Sequence, residues 1–97
     1  MTPVVFHPEA EAEMLASARW YEDRCAGLGP QFLNEVEAAI SRISATPEAW
    51  AIVKGSIRRH LLRRFPFGIL YRPQQDRIQI LAVMHLHREP HYWEHRV

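Results

Sequence analysis

The chain has 97 residues, 47% hydrophobic and 24% charged, a balance that predicts one folded domain over residues 1–97 and excludes both a disordered chain and one with two cores. Its net charge of +1 hides a division: residues 1–48 hold three basic residues (Arg19, Arg24, Arg42) against eight acidic ones, and residues 49–97 hold nine basic against three acidic (Asp76, Glu89, Glu94). An acidic first half and a basic second half predict faces that meet different partners.

No apolar run is long enough to cross a bilayer, and Met1–Phe6 shows neither a basic leader nor an extended apolar core, so a cytoplasmic home without a membrane partner is expected. Val4-Val5-Phe6 is a short β-prone run stopped by His7-Pro8. Proline suits the first helical position, and Glu9 and Glu11 complement the helix dipole, so a helix begins there. Met14, Ala18, Tyr21 and Cys25 recur at spacings of four, three and four, with Leu15 beside them, giving an apolar side to a helix over about 8–25. Trp20 falls at the edge of that stripe. Cys25 is the sole cysteine, which fits a reducing compartment and reads as a small core-facing residue without a chemical role. Ala26-Gly27-Leu28-Gly29-Pro30 offers glycine for a left-handed cap and proline for a new start. Leu33, Val36, Ile40 and Ile43, joined by Phe32 and Ala39, then predict a helix over about 30–46, closed by Pro47. So short a connection makes the helices an antiparallel hairpin whose two apolar stripes need a common cover.

Glu48–Val53 reads as an irregular turn with Trp50 buried. Ile57–Arg72 then carries five arginines among strand-forming residues, predicting a basic β-hairpin with its turn or kink at Pro66-Phe67-Gly68. Leu61 and Leu62 stand side by side between arginine pairs, so a bulge or strong twist is expected there. Arg58, Arg59, Arg63 and Arg64 are either solvated strand-face charges or a footprint for an anionic partner, and alternation lets only about half of them share a face. After the polar turn Pro73–Asp76, Arg77–His85 is apolar on both alternating faces, the pattern of a central strand. Leu86–Val97 is too polar and aromatic for a core element. Tyr92-Trp93 either stacks on bases or pins this tail to the body. His87, His91 and His95 would align on a helix that Pro90 opposes, and without thiolate or acidic ligands at metal spacing neither a metal nor a cofactor is expected. A short strand, two helices and three strands give an α+β fold: an N-terminal helical hairpin packed on a small, mostly antiparallel twisted sheet, with Leu33, Val36, Ile40, Ile43, Ile80 and Ala82 in the core.

The run Arg58–Arg72, the strand Ile78–Val83, the closing His85-x-x-Arg88-x-Pro90-x-Tyr92-Trp93 and the opening Phe6-x-Pro8-x-Ala10 together resemble the RelE/ParE superfamily of toxins from type II toxin-antitoxin modules. The likeness spans nearly the whole chain. It implies a growth-arresting toxin silenced by a cognate antitoxin, whose acidic or amphipathic C-terminal segment wraps it and whose N-terminal domain alone reaches operator DNA. Residues Arg58, Arg59, Arg63, Arg64, Arg72, Arg88, Tyr92 and Trp93 are the implied contacts with antitoxin or target. Members that cut mRNA on the ribosome resemble one another in carrying arginines where this chain has Gly68 and Leu86, while His87, Arg88 and Tyr92 match. The ParE-like, plasmid-stabilisation branch is therefore the better resemblance, and it implies inhibition of DNA gyrase without enzymatic chemistry. The alternatives are a ribosome-dependent mRNA endonuclease using Arg63, Arg64, His87, Arg88 and Tyr92, and a degenerate binding partner without toxicity.

Overall fold

The computed structural model describes residues 2–97. The elements run β1 (Val4–Phe6), α1 (Pro8–Arg24), α2 (Leu28–Ala45), β2 (Ala51–Lys54), β3 (Ile57–Leu61), β4 (Phe67–Pro73), β5 (Ile78–His85) and a short 3-10 turn at Glu94–Arg96. The five strands form one sheet in the order β1-β5-β4-β3-β2, with β1 parallel to β5 and every other pair antiparallel. This is the α+β arrangement expected, with both helices against one face of the sheet.

Local chemistry sets the helix ends. His7 caps α1 from an extended conformation, its Nδ1 accepting the Glu9 amide at 3.1 Å, and Pro8 occupies the first turn. Gly27, at φ +90°, makes the left-handed corner into α2. The second helix starts at Leu28, two residues ahead of the expected Pro30, because Glu22 of α1 reaches across to cap it. Its carboxylate accepts the amides of Gly27 at 3.0 Å and Gly29 at 2.9 Å. Gly29 also lets the helices close up, since a Cβ there would lie 2.8 Å from the Ala18 carbonyl oxygen.

The main core lies between the helices and one sheet face. Tyr21, Phe32, Phe65 and Phe67 form an aromatic cluster with neighbouring centroids 4.9–5.4 Å apart. Val36, Ile43 and Ile80 are buried in it, and Leu33 and Ile40 pack against it half-buried. Ala82 is buried as expected, but on the opposite face of the sheet. That second face carries Ile57, Leu70, Leu81, Ala82 and Met84, covered by Trp93.

Five local expectations are corrected. Cys25 is exposed, because α1 ends at Arg24 and Cys25 turns away in an extended conformation. The segment read as an irregular turn contains a true edge strand, β2, paired to β3. The hairpin turn occupies residues 62–66, and Phe67 and Gly68 belong to β4: Leu62 and Phe65 fold inward, and the Leu62 amide donates to the Phe67 carbonyl at 2.9 Å. Of the bulge or twist expected at Leu61-Leu62, the bulge is absent from β3 and falls instead in β2 around Val53 and in β5 at Leu81, which lets Leu81 and Ala82 face the same cluster. The tail does contribute a core residue, Trp93, 3% exposed, whose indole N–H donates to the Pro90 carbonyl at 2.8 Å.

Candidate functional site

The arginines that crowd together in sequence separate in space. Alternation along β3 turns Arg58 toward the helices, where its guanidinium donates to the carbonyls of Glu48 at 3.0 Å and Trp50 at 2.8 Å. Arg59 points to the other face, its stem lying against Gly68. Arg63 and Arg64 sit in the 62–66 turn, where both backbone amides donate to one Glu35 oxygen of α2, at 2.6 and 2.8 Å. Arg64 also donates to Gln31 at 2.7 Å, and Arg72 to Gln79 at 2.8 Å. Among the described residues, the guanidiniums of Arg19, Arg59, Arg63 and Arg88 have no hydrogen-bond or ion-pair partner within the chain. Arg19 lies on α1, and the other three are the cations of the basic half free to meet a partner.

The tail is strapped to the body by a buried polar knot. Pairing with β1 stops at Ile80, so beyond it β5 has no strand on that side. Two side chains satisfy the exposed backbone instead: Glu13 accepts the Val83 amide at 2.8 Å, and Arg96 donates to the Leu81 carbonyl at 2.9 Å. Glu13 and Arg96 pair at 2.8 Å, with side chains only 15% and 5% exposed. The Tyr92 hydroxyl donates to the same carboxylate at 2.9 Å, and Arg88 stacks over the Tyr92 ring at 3.9 Å. Burial raises the Tyr92 phenol well above its usual range, and the charge and hydrogen bond of Glu13 push it further.

Beside this knot, α1 and the ends of β4 and β5 enclose a cleft of about 380 Å³ lined by Glu13, Ala16, Ser17, Trp20, Tyr21, Phe67, His85 and Arg88. Its floor is apolar. Trp20 stands half-exposed at the rim, with the Arg24 guanidinium 3.5 Å from its ring centroid. The tail histidines do not converge: His91 pairs with Glu94 at 2.6 Å, His95 with Glu9 at 3.0 Å, and His85 accepts the His87 amide at 3.1 Å. Among the described residues no three metal-binding side chains gather.

Of the residues singled out from sequence, Arg88, Tyr92 and Trp93 come together in the strap, Arg63 and Arg64 share the turn above α2, and Arg58 and Arg72 are committed to internal hydrogen bonds. Glu13, Trp20 and Arg96 were not foreseen. One signal was present, in that Glu9 and Glu13 are four apart and share a face of α1, yet acidic residues early in a helix read first as partners of its dipole.

Comparison with known proteins follows the same lines. The family model described as the ParE toxin of the type II toxin-antitoxin system parDE matches residues 4–90. Among solved structures, a chain described as the chromosomal ParDE TA system from P. aeruginosa is similar in fold, with a TM-score of 0.64 at 18% identity, covering 89% of this chain and 97% of that one. No curated protein matches in sequence. With the match extending from β1 through the strap's first turn, the chain belongs to the ParE toxin family of type II toxin-antitoxin systems.

Proposed function

We propose that this ParE-family toxin, a single domain acting in the cytoplasm, arrests growth by binding and inhibiting DNA gyrase, without cutting RNA, and is silenced by a cognate antitoxin. The observation that carries the non-enzymatic half is the Tyr92 phenol, whose proton is bound to Glu13 at 2.9 Å. With its acidity suppressed by burial first and by Glu13 second, it is a poor general acid or base at neutral pH. Gly68 brings no side chain to the sheet surface, and Leu86, exposed beside the strap, brings no charge. In-line cleavage needs cations where phosphate charge develops, and losing one such contact costs about 100- to 1000-fold in rate.

Arg59, Arg63, Arg64 and Arg88 then serve binding, with Arg58 and Arg72 shaping the sheet beneath them and Tyr92 and Trp93 fixing the strap. An acidic or amphipathic antitoxin segment over the Arg63–Arg64 turn would neutralise its charge and cover apolar surface. Reversing both charges is expected to speed dissociation of that complex, and unchanged affinity and salt dependence would place the antitoxin elsewhere.

The test is to induce the toxin alone and follow DNA and protein synthesis together. DNA synthesis should stop and double-strand breaks appear before translation falls, with Tyr92→Phe leaving toxicity mostly intact. Translation falling first, with mRNA cleavage abolished by Tyr92→Phe or His87→Ala, would replace gyrase by the ribosome. A folded protein with neither effect would be a partner that has kept the scaffold without the activity.

A further inference from the structure

On the sheet face away from the helices, Trp93 covers most of the apolar surface but leaves a groove of about 170 Å³ lined by Val53, Lys54, Arg59, Met84, Pro90 and His91, among others. Gly68 of β4 lies beside it. A Cβ on Gly68 would approach Cγ and Cδ of Arg59 to 3.2 Å and Leu61 to 3.4 Å, so the arginine stem runs across the place where any other side chain would stand. Backbone conformation does not call for glycine here, because only Gly27 and Gly55 have positive φ. What the missing side chain provides is a seat for Arg59.

Arg58, Arg64, Arg72 and Arg96 all spend their guanidiniums on hydrogen bonds within the chain, whereas that of Arg59 has no such partner among the described residues. A half-buried arginine whose stem is seated and whose guanidinium has no anion is prepared for a planar carboxylate or a phosphate. The surroundings decide between them. Lys54 and His91, the other basic groups at the groove, already face Glu94 at 2.9 and 2.6 Å, which leaves one uncommitted cation where a nucleic-acid backbone would need a row. Beside Arg59 stand Leu61, 47% exposed, and Val53, 40% exposed, apolar surface that a phosphodiester chain does not bury.

We infer that Arg59, seated over Gly68, receives a single Asp or Glu side chain from an amphipathic segment of the antitoxin, whose apolar residues cover Leu61 and Val53. This rests on the antitoxin being the partner, as proposed above, and adds the sheet face opposite the helices to the contact at the Arg63–Arg64 turn.

The experiment titrates the purified toxin with the product of whichever small reading frame adjoins its gene, comparing wild type with Arg59→Gln, Arg59→Lys and Gly68→Val. Arg59→Gln should weaken the complex by about 10- to 100-fold, the range of a charge-assisted hydrogen bond. Arg59→Lys should lose less, and Gly68→Val should lose affinity in the same direction by displacing the arginine stem. Urea unfolding of each variant separates this from misfolding, and if Arg59→Gln does not fold, the other two variants carry the comparison. Wild-type affinity in all three would overturn the inference while leaving the antitoxin reading in place. It is equally overturned if Arg59→Gln abolishes binding of a single-stranded oligonucleotide and spares the antitoxin. No complex with the wild-type toxin would overturn the antitoxin reading, and this inference with it.

Discussion

Two residues show how a fold this small places polar groups inside. His60 is 7% exposed on the helix side of β3, its ring 4.1 Å from that of Trp50, and its Nε2 accepts from Arg42 Nε at 3.3 Å. That bond requires the neutral ring, and burial first, then the charges of Arg42 and Arg63, hold its pKa below the usual value. The unfolded chain takes up a proton as pH falls through about 6.5 while the folded one resists it, so stability is present above that pH and declines below it. Urea unfolding between pH 7.5 and 5 should show this loss in wild type and a flatter profile in His60→Gln; equal slopes would mean His60 is protonated in the fold. Glu13 is the second case. Glu13→Gln leaves Arg96 buried without its carboxylate, and breaking such a pair from one side costs about 3–5 kcal/mol. A loss under about 1 kcal/mol would mean that water reaches the knot.

At the scale of elements, the helical hairpin is set by one carboxylate and one missing side chain. Glu22 caps α2 from α1, and Gly29 permits the close crossing. Gly29→Ala should destabilise the protein measurably, because the atom its Cβ meets is a backbone oxygen that cannot rotate away. Packing depth predicts a second contrast: Ile43→Ala, at a fully buried site, should cost about 2–5 kcal/mol, and Ile40→Ala, half-buried, clearly less. Both helices, the central strand and the composition of the core were legible because their apolar residues recur at the helix and strand periods. The edge strand β2 was not, since all four of its residues are exposed and show no alternation. The turn after β3 was misplaced because Pro66 and Gly68 look like turn residues, whereas inward folding of Leu62 and Phe65 decides its position. Trp93 as an anchor of the tail was one of two readings the sequence left open, and its burial against the sheet decides between them.

For the whole molecule, the division of charge along the chain turns into a division of roles. Much of the acidic half works inside the structure: Glu22 caps a helix, Glu35 holds the arginine turn, and Glu9 and Glu13 grip the strap. Much of the basic half is likewise spent internally, which leaves Arg59, Arg63 and Arg88 on view at the sheet face, the turn and the cleft. The arginine density and its division by alternation were plain from the sequence, but not which guanidiniums are consumed by hydrogen bonds within the chain. What remains is a scaffold with cations for contact and a phenol whose proton is already committed. The most direct measurement of that account adds purified toxin to DNA gyrase and supercoiled plasmid, and in parallel to ribosomes carrying mRNA. It should inhibit supercoiling or trap cleaved DNA, with Tyr92→Phe nearly as active as wild type, and leave the mRNA whole. Intact gyrase activity, together with mRNA cleavage that Tyr92→Phe abolishes, would contradict it.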